Sequence, residues 1–242
     1  MQYLLRRKIM CTCILLVFIG AQADAQLRYL NQEEHDEKKF HFGIMVGMNK
    51  AHYNFTRHPT FITSDSIKGI ESINSTGINL AWLVNLRLSE HFSLRTYPIN
   101  LVFTEKAFQY FLPTPNRGIG EDTLMLKKVQ GITLSLPLQL KFQSDRINNL
   151  RVYMFGGGKI EYDMAANKDK KSTEGMIRLD KLDYGIEAGI GFHIYFPVFV
   201  LSPELKLGYG FRNVHVRDES YKFSSTIDKI NARTITFSLT VE

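Results

Sequence analysis

The feature that most constrains this chain is an alternation of apolar with small or polar residues, at a period of two, recurring from Phe40 to the end. A β-strand turns successive side chains to opposite faces, so each alternating stretch reads as a two-faced strand. In the first, Phe40, Phe42, Ile44, Val46 and Met48 share one face; His41, Gly43, Met45, Gly47 and Asn49 share the other. The pattern returns at Ile78–Leu88, Ile132–Phe142, Tyr184–Ile194, Phe199–Phe211 and Ile235–Val241. Two less regular stretches complete the set. One lies near Ser93–Tyr110, where Tyr97, Ile99, Leu101 and Phe103 read onto one face. The other lies near Arg151–Met164 and contains Gly156-Gly157-Gly158. The expectation is eight antiparallel strands.

These strands are long. Globular strands average about five or six residues, whereas crossing a bilayer at a tilt takes about nine to eleven. The apolar face of the six regular strands carries no charge, while the opposite face is mainly Gly, Ser, Thr and Asn. An aqueous barrel would set Lys and Glu densely on its outside. A charge-free face suits hydrocarbon, where an Arg or Lys at the midplane costs about 2–4 kcal/mol. The gaps between strands alternate long and short, as in outer-membrane barrels with short periplasmic turns and long external loops. The fold class expected is all-β, an eight-stranded antiparallel transmembrane β-barrel of the outer-membrane type, with both ends of the barrel segment in the periplasm. Pro98, Pro137 and Pro203 fall inside strands, where each removes a ladder donor, so bulges or bends are expected there. Phe40, Tyr53, Phe92, Tyr110, Phe142, Tyr195 and Phe211 lie near strand ends and read as interfacial girdles.

Ahead of the barrel, Arg6, Arg7 and Lys8 precede a short apolar run, Met10–Gly20, and then Ala23-Asp24-Ala25. That is the form of a cleaved secretory signal. The expected organisation is a signal peptide at 1–25, a polar and mobile periplasmic tail at 26–39, and the barrel at 40–242. Cys11 and Cys13 lie within the signal, so the mature chain has no disulfide or thiol chemistry. The net charge of +6 is spread along the 242 residues without a concentrated basic face, which argues against a nucleic-acid partner.

Few residues invite a chemical reading. Arg87, Lys141, Glu187, Glu204 and Lys206 fall on the inward face as a lumen charge network. Eight strands leave an interior just wide enough for side chains, so acid–base pairing among them is expected rather than a conduction path. Ser202, Glu204 and His193 have the residue types of a hydrolytic triad. They lie by a short turn, the wrong end for an enzyme acting on external lipid. No catalytic residue, cofactor, metal or small-molecule substrate is therefore expected, although His41 and His193 point into the lumen. Gly156-Gly157-Gly158 lacks the phosphate-loop pattern and reads as a bend or close packing. Outer-membrane lipid and lipopolysaccharide are the expected surroundings; Lys168, Lys170 and Lys171, in an external loop, read equally as a basic contact to lipopolysaccharide or as a solvated loop.

The segments KKFHFGIMVGMNKAHYNF (Lys38–Phe55), NLRLSEHFSLRTYP (Asn85–Pro98), SLPLQLKFQSDRINNLRVYMFGGGKIEYDMA (Ser135–Ala165) and YGIEAGIGFHIYFPVFVLSPELKLGYGF (Tyr184–Phe211) resemble the PorT family of Bacteroidetes outer-membrane barrels. The resemblance runs over nearly the whole mature chain. It implies a non-enzymatic accessory or assembly factor of the type IX protein secretion system, with other secretion subunits as partners. It implies no catalytic residues. A stand-alone barrel for adhesion or envelope stability is the alternative, with a lipid-modifying enzyme behind it.

Overall fold

In the computed structural model the described residues are 30–59, 61, 67–115, 122–165, 178–216 and 222–242. Residues 1–29 are not among them, so the expected signal and the first residues of the tail lie outside the described part, as does the lysine cluster at 168–171.

Long alternating runs become long strands. The strands are β1 (Phe40–Arg57), β2 (Gly69–Ile73), β3 (Ser75–Arg87), β4 (Phe92–Phe111), β5 (Leu124–Gln143), β6 (Leu150–Asp163), β7 (Arg178–Leu179), β8 (Leu182–Tyr195), β9 (Val200–Gly210), β10 (His215–Val216) and β11 (Ile227–Val241), of which β2, β7 and β10 are short. Hydrogen-bonded neighbours run β4-β3-β1-β11-β9-β8-β6-β5, and β5 pairs back onto β4. The wall is thus a closed, antiparallel barrel of eight strands. Closure leaves no strand edge within the wall, which a sheet crossing hydrocarbon requires. No helix among the described residues is long and apolar enough to cross a membrane. β2 adds to the far end of β4, with Gly69 opposite Phe111, and β7 pairs with β10 as a separate short ladder.

The faces fall as the alternation requires. Phe42, Ile44 and Met48 point outward, as do Leu80, Trp82, Leu136, Leu138, Ile190, Leu207 and Phe237, all with large exposed areas. Their alternating neighbours, such as Met45, Leu83, Gln139, His193 and Ser238, are buried inside.

β4 departs from the expected faces. Its pairing slips by one residue, between Thr96 and Ile99 against β3 and between Thr96 and Leu101 against β5. Pro98 and Ile99 both face out, while Tyr97 is fully buried inside. Tyr97 therefore does not share a face with Ile99, Leu101 and Phe103. The extra residue is a β-bulge, and a one-residue slip flips every side chain beyond it. Pro203 sits in an unbroken register opposite Leu239, and Pro137 in one opposite Lys159 of β6, while on its other side Pro137 lies within the slip of the β4–β5 pairing. Thr96 Oγ1 donates to the Pro137 carbonyl at 2.7 Å, across the gap in the β4–β5 pairing.

The outer wall changes character along each strand. On β1, outward residues are apolar to Met48 and then become Lys50, His52, Asn54 and Thr56, while inward positions become Ala51 and Tyr53. β11 mirrors this: Ile235, Phe237, Leu239 and Val241 face out, but Ile227, Ile230 and Ala232 face in. Beyond the apolar band the barrel is therefore built like a water-soluble one. Its interior there is an apolar cluster of Tyr53, Ile67, Ile70, Phe108, Tyr110, Leu112, Leu179, Val214, Ile227, Ile230 and Ala232. The Tyr53 and Phe108 rings stack at 5.6 Å. Of the expected girdle aromatics, Phe40, Phe92, Phe142 and Phe211 do face out. Tyr53, Tyr110 and Tyr195 are buried inside, because beyond the band, and at the barrel mouth, packing is on the inner face.

Candidate functional site

The lumen is filled with side chains, and its middle is organised around one carboxylate. Glu204 of β9 and Arg95 of β4 are both buried and paired end-on, the Arg95 Nη1 donating to Glu204 Oε1. Tyr153 OH donates to the same oxygen at 2.6 Å, and Lys206 Nζ lies 3.7 Å from the other. Arg95 Nε donates to Gln139 Oε1 at 2.7 Å, and the Gln139 amide donates on to Glu187. The guanidinium lies 4.2 Å from the centre of the Phe155 ring, and Lys206 Nζ lies 4.7 Å from that of Tyr97. Two buried ions without such partners would be strongly unfavourable; Glu204 has hydrogen bonds on both oxygens. The small residues opposite make this packing possible. A Cβ at Gly189 would stand 2.5 Å from Phe155 Cζ, and one at Gly191 2.5 Å from Tyr153 Cζ.

Nearer the short turns, Lys141 and His193 meet. Lys141 Nζ is 3.1 Å from His193 Nε2, and His193 Nδ1 is 2.7 Å from Ser202 Oγ. An ammonium can only donate, so His193 Nε2 accepts and Nδ1 carries the proton it gives to Ser202. A histidine held that way has no lone pair facing the serine. Glu204 meanwhile is bound by Arg95 and Tyr153 rather than by His193. The Ser202, His193 and Glu204 side chains are close, but their bonding is not that of a general-base relay.

The short-turn mouth is closed by the tail. Residues 31–39 are tied down rather than free: Asn31 N donates to Asn149 Oδ1 at 2.9 Å, Asn31 Nδ2 to the Tyr195 carbonyl at 2.9 Å, and Gln32 Nε2 to the Phe196 carbonyl at 3.2 Å. A single 3₁₀ turn, Glu33–His35, then brings Asp36 under the barrel. Its carboxylate accepts from Arg151 at 2.9 Å, Arg146 at 3.2 Å and Tyr195 OH at 2.8 Å. The Arg146 guanidinium lies 3.7 Å over the Tyr195 ring. Above the clamp, His35 Nε2 lies 3.1 Å from His41 Nδ1, and burial pushes the His35 imidazole below its ordinary range.

The structure thus distributes the five charged residues read from the sequence. Lys141, Glu204 and Lys206 are buried in the lumen, and Glu187 is half-buried beside Gln139. Arg87 is at the rim, where Nη1 donates to the Asp36 carbonyl and Nε to the Ser89 carbonyl at 3.3 Å. Sequence reasoning missed Arg95, the central cation, because continuing the outward face of Ile99 and Phe103 back through an unbroken strand places Arg95 toward lipid. The proline at 98 was the available signal. It also missed the Asp36 clamp, since a charged tail carries no periodicity.

The outer membrane protein beta-barrel domain family matches residues 21–216. No curated protein matches the chain. Solved structures similar to it include neisserial surface protein A (9% identity, TM-score 0.41, covering 84% of this chain and 99% of that one). Others are Ail, the attachment invasion locus protein of Yersinia pestis (11%, 0.36, 84% and 98%), and the N-terminal barrel domain of Pseudomonas aeruginosa OprF (12%, 0.30, 81% and 96%). With the family matched over most of its length and a closed barrel bearing an uncharged outer band, the chain belongs to the outer membrane protein beta-barrel domain family and is a protein of the outer membrane.

Proposed function

We propose that this protein is a stand-alone, non-enzymatic outer-membrane barrel that serves adhesion or envelope stability through its wall and its long-loop end. The observation that carries the reading is the occupied lumen. From the apolar cluster at the long-loop end, through the Arg95–Glu204 pair, to the Asp36 clamp, side chains fill the axis. A filled barrel offers two surfaces for work. One is the wall, bathed by lipid and lipopolysaccharide; the other is the exposed loops. The purified protein in a planar bilayer is expected to give no stable conductance. A deletion strain is expected to become sensitive to detergents or to lose surface attachment while exporting its secreted proteins normally. Discrete channel openings, or an unaltered envelope and surface, would count against this reading.

A second reading has its own support in the resemblance of Lys38–Phe55, Asn85–Pro98, Ser135–Ala165 and Tyr184–Phe211 to the PorT family. On it the protein is an accessory or assembly factor of type IX secretion, holding other secretion subunits by its wall or loops and passing no cargo itself. The same deletion strain separates the two. Loss of cargo export, together with secretion subunits co-purifying in mild detergent, selects the second reading over the first.

A further inference from the structure

We propose that His35, His41 and Glu242 form a binding site for one divalent transition-metal cation of the zinc or copper class, at the short-turn mouth of the barrel. The three side chains come from separate places in the chain, the tail, the start of β1 and the residue after β11. Their potential ligand atoms nevertheless all lie within 4.8 Å of one another.

Each ligand is held by a local cause. His41 Nε2 is 3.0 Å from the Lys38 carbonyl. A carbonyl can only accept, so Nε2 bears the proton and Nδ1 presents its lone pair to His35. A ring nitrogen held by a backbone carbonyl, with the other left free to ligate, is the usual outer-shell support of a metal-bound histidine. His35 Nε2 stands 3.1 Å from that lone pair. Two imidazole nitrogens on one tetrahedral zinc, each at about 2.0–2.1 Å from it, are a little over 3 Å apart.

Glu242 is placed by its backbone. Its N–H donates to the Val200 carbonyl at 3.0 Å, and its carbonyl accepts from Val200 N at 2.9 Å. Its side chain then crosses the inner wall at Gly43. A Cβ there would lie 2.9 Å from Glu242 Cγ and 2.7 Å from the Val241 carbonyl oxygen. Gly43 is the residue between His41 and Met45 on the inward face, so its bare Cα opens the path from Glu242 to His41.

All three residues line one cavity of about 20 Å³, room for one small occupant. Lys141, Arg87 and Arg151 line it too. Arg151 and Arg87 are engaged by Asp36, and Lys141 by His193. Their positive charge disfavours a hard cation held by charge alone. Affinity must come from imidazole–metal bonds, which selects zinc, copper or nickel over magnesium and calcium. A bound ion would fasten the tail to β1 and to the end of β11, closing the mouth with three bonds.

The test uses the processed full-length chain, without a histidine tag, refolded in detergent and freed of metal with a chelator. Titration with ZnCl₂ is expected to show one ion per chain. Cu²⁺ added in its place is expected to show coupling to two imidazole nitrogens by electron paramagnetic resonance. His35→Ala lies in the tail, outside the barrel wall, and is expected to weaken zinc at least tenfold while the heat-modifiable band of the folded barrel persists. His41→Ala is expected to weaken zinc by the same factor, and Mg²⁺ is expected not to bind. Absence of zinc binding at millimolar concentration, or binding unchanged in His35→Ala, overturns the proposal. Zinc retained only at the exposed His91–Asp145 pair, and lost in His91→Ala, overturns it equally.

Discussion

Glu204 is the residue on which the lumen turns. It accepts from Arg95 and Tyr153 and has Lys206 within 3.7 Å, all in a buried setting. Glu204→Ala leaves a buried guanidinium uncompensated, which is expected to cost about 3–5 kcal/mol. Urea unfolding of the protein in liposomes measures this. Arg87→Ala at the rim, where water reaches the remaining partners, is expected to cost about 1 kcal/mol. Equal losses at the two sites would show that the central pair is not the chief ionic support. Glu204, Lys206 and Lys141 were legible from parity alone, since each alternates with residues that face lipid. Arg95 was not, because its parity depends on an event three residues further along.

At the scale of the element that event is the bulge in β4. Pro98 supplies the extra residue that lets Arg95 and Tyr97 face in while Ile99 and Phe103 face out. Deleting Pro98 removes the bulge and joins Tyr97, which faces in, directly to Ile99, which faces out, so both halves of β4 keep their observed faces and partners. The deletion variant is expected to give a folded, heat-modifiable band. Pro98→Ala keeps the residue count and is expected to lie within about 1 kcal/mol of the parent. Loss of the folded band in the deletion variant would show that the bulge does more than add an outward-facing residue. The tail teaches a related lesson. Its charges read as a solvated, mobile segment, yet Asp36 finds Arg146, Arg151 and Tyr195, which are brought under it by turns and strand ends remote in sequence.

Across the whole molecule the outer surface divides into an apolar band and a wetted extension, and the boundary can be located. On β1 it falls between Met48 and Lys50; on β11 it falls between Arg233 and Ile235, and Lys50 and Ile235 are register partners. Ile44→Arg, near the middle of the band, is expected to cost about 2–4 kcal/mol, and Asn54→Arg, beyond it, about 0–1 kcal/mol. Folding equilibria into liposomes measure both. Comparable costs at the two positions would mean that the band is not bounded by lipid at this level.

The sequence by itself determined the wall: strand number, alternation, the uncharged outward face and the rhythm of short and long connections all follow from side-chain period, a local property of the backbone. The inversion beyond Met48 was also written there, in Lys50, His52 and Asn54 on the outward parity, though the apolar inner cluster they enclose needs strands from around the barrel to meet. Only the tertiary structure decided which charges pair, where the bulge resets the inner face, and that the tail seals the mouth. Those contacts join residues up to 164 positions apart, as Asn31 joins Tyr195, and no local period carries information about which side chains closure of the cylinder brings across its axis.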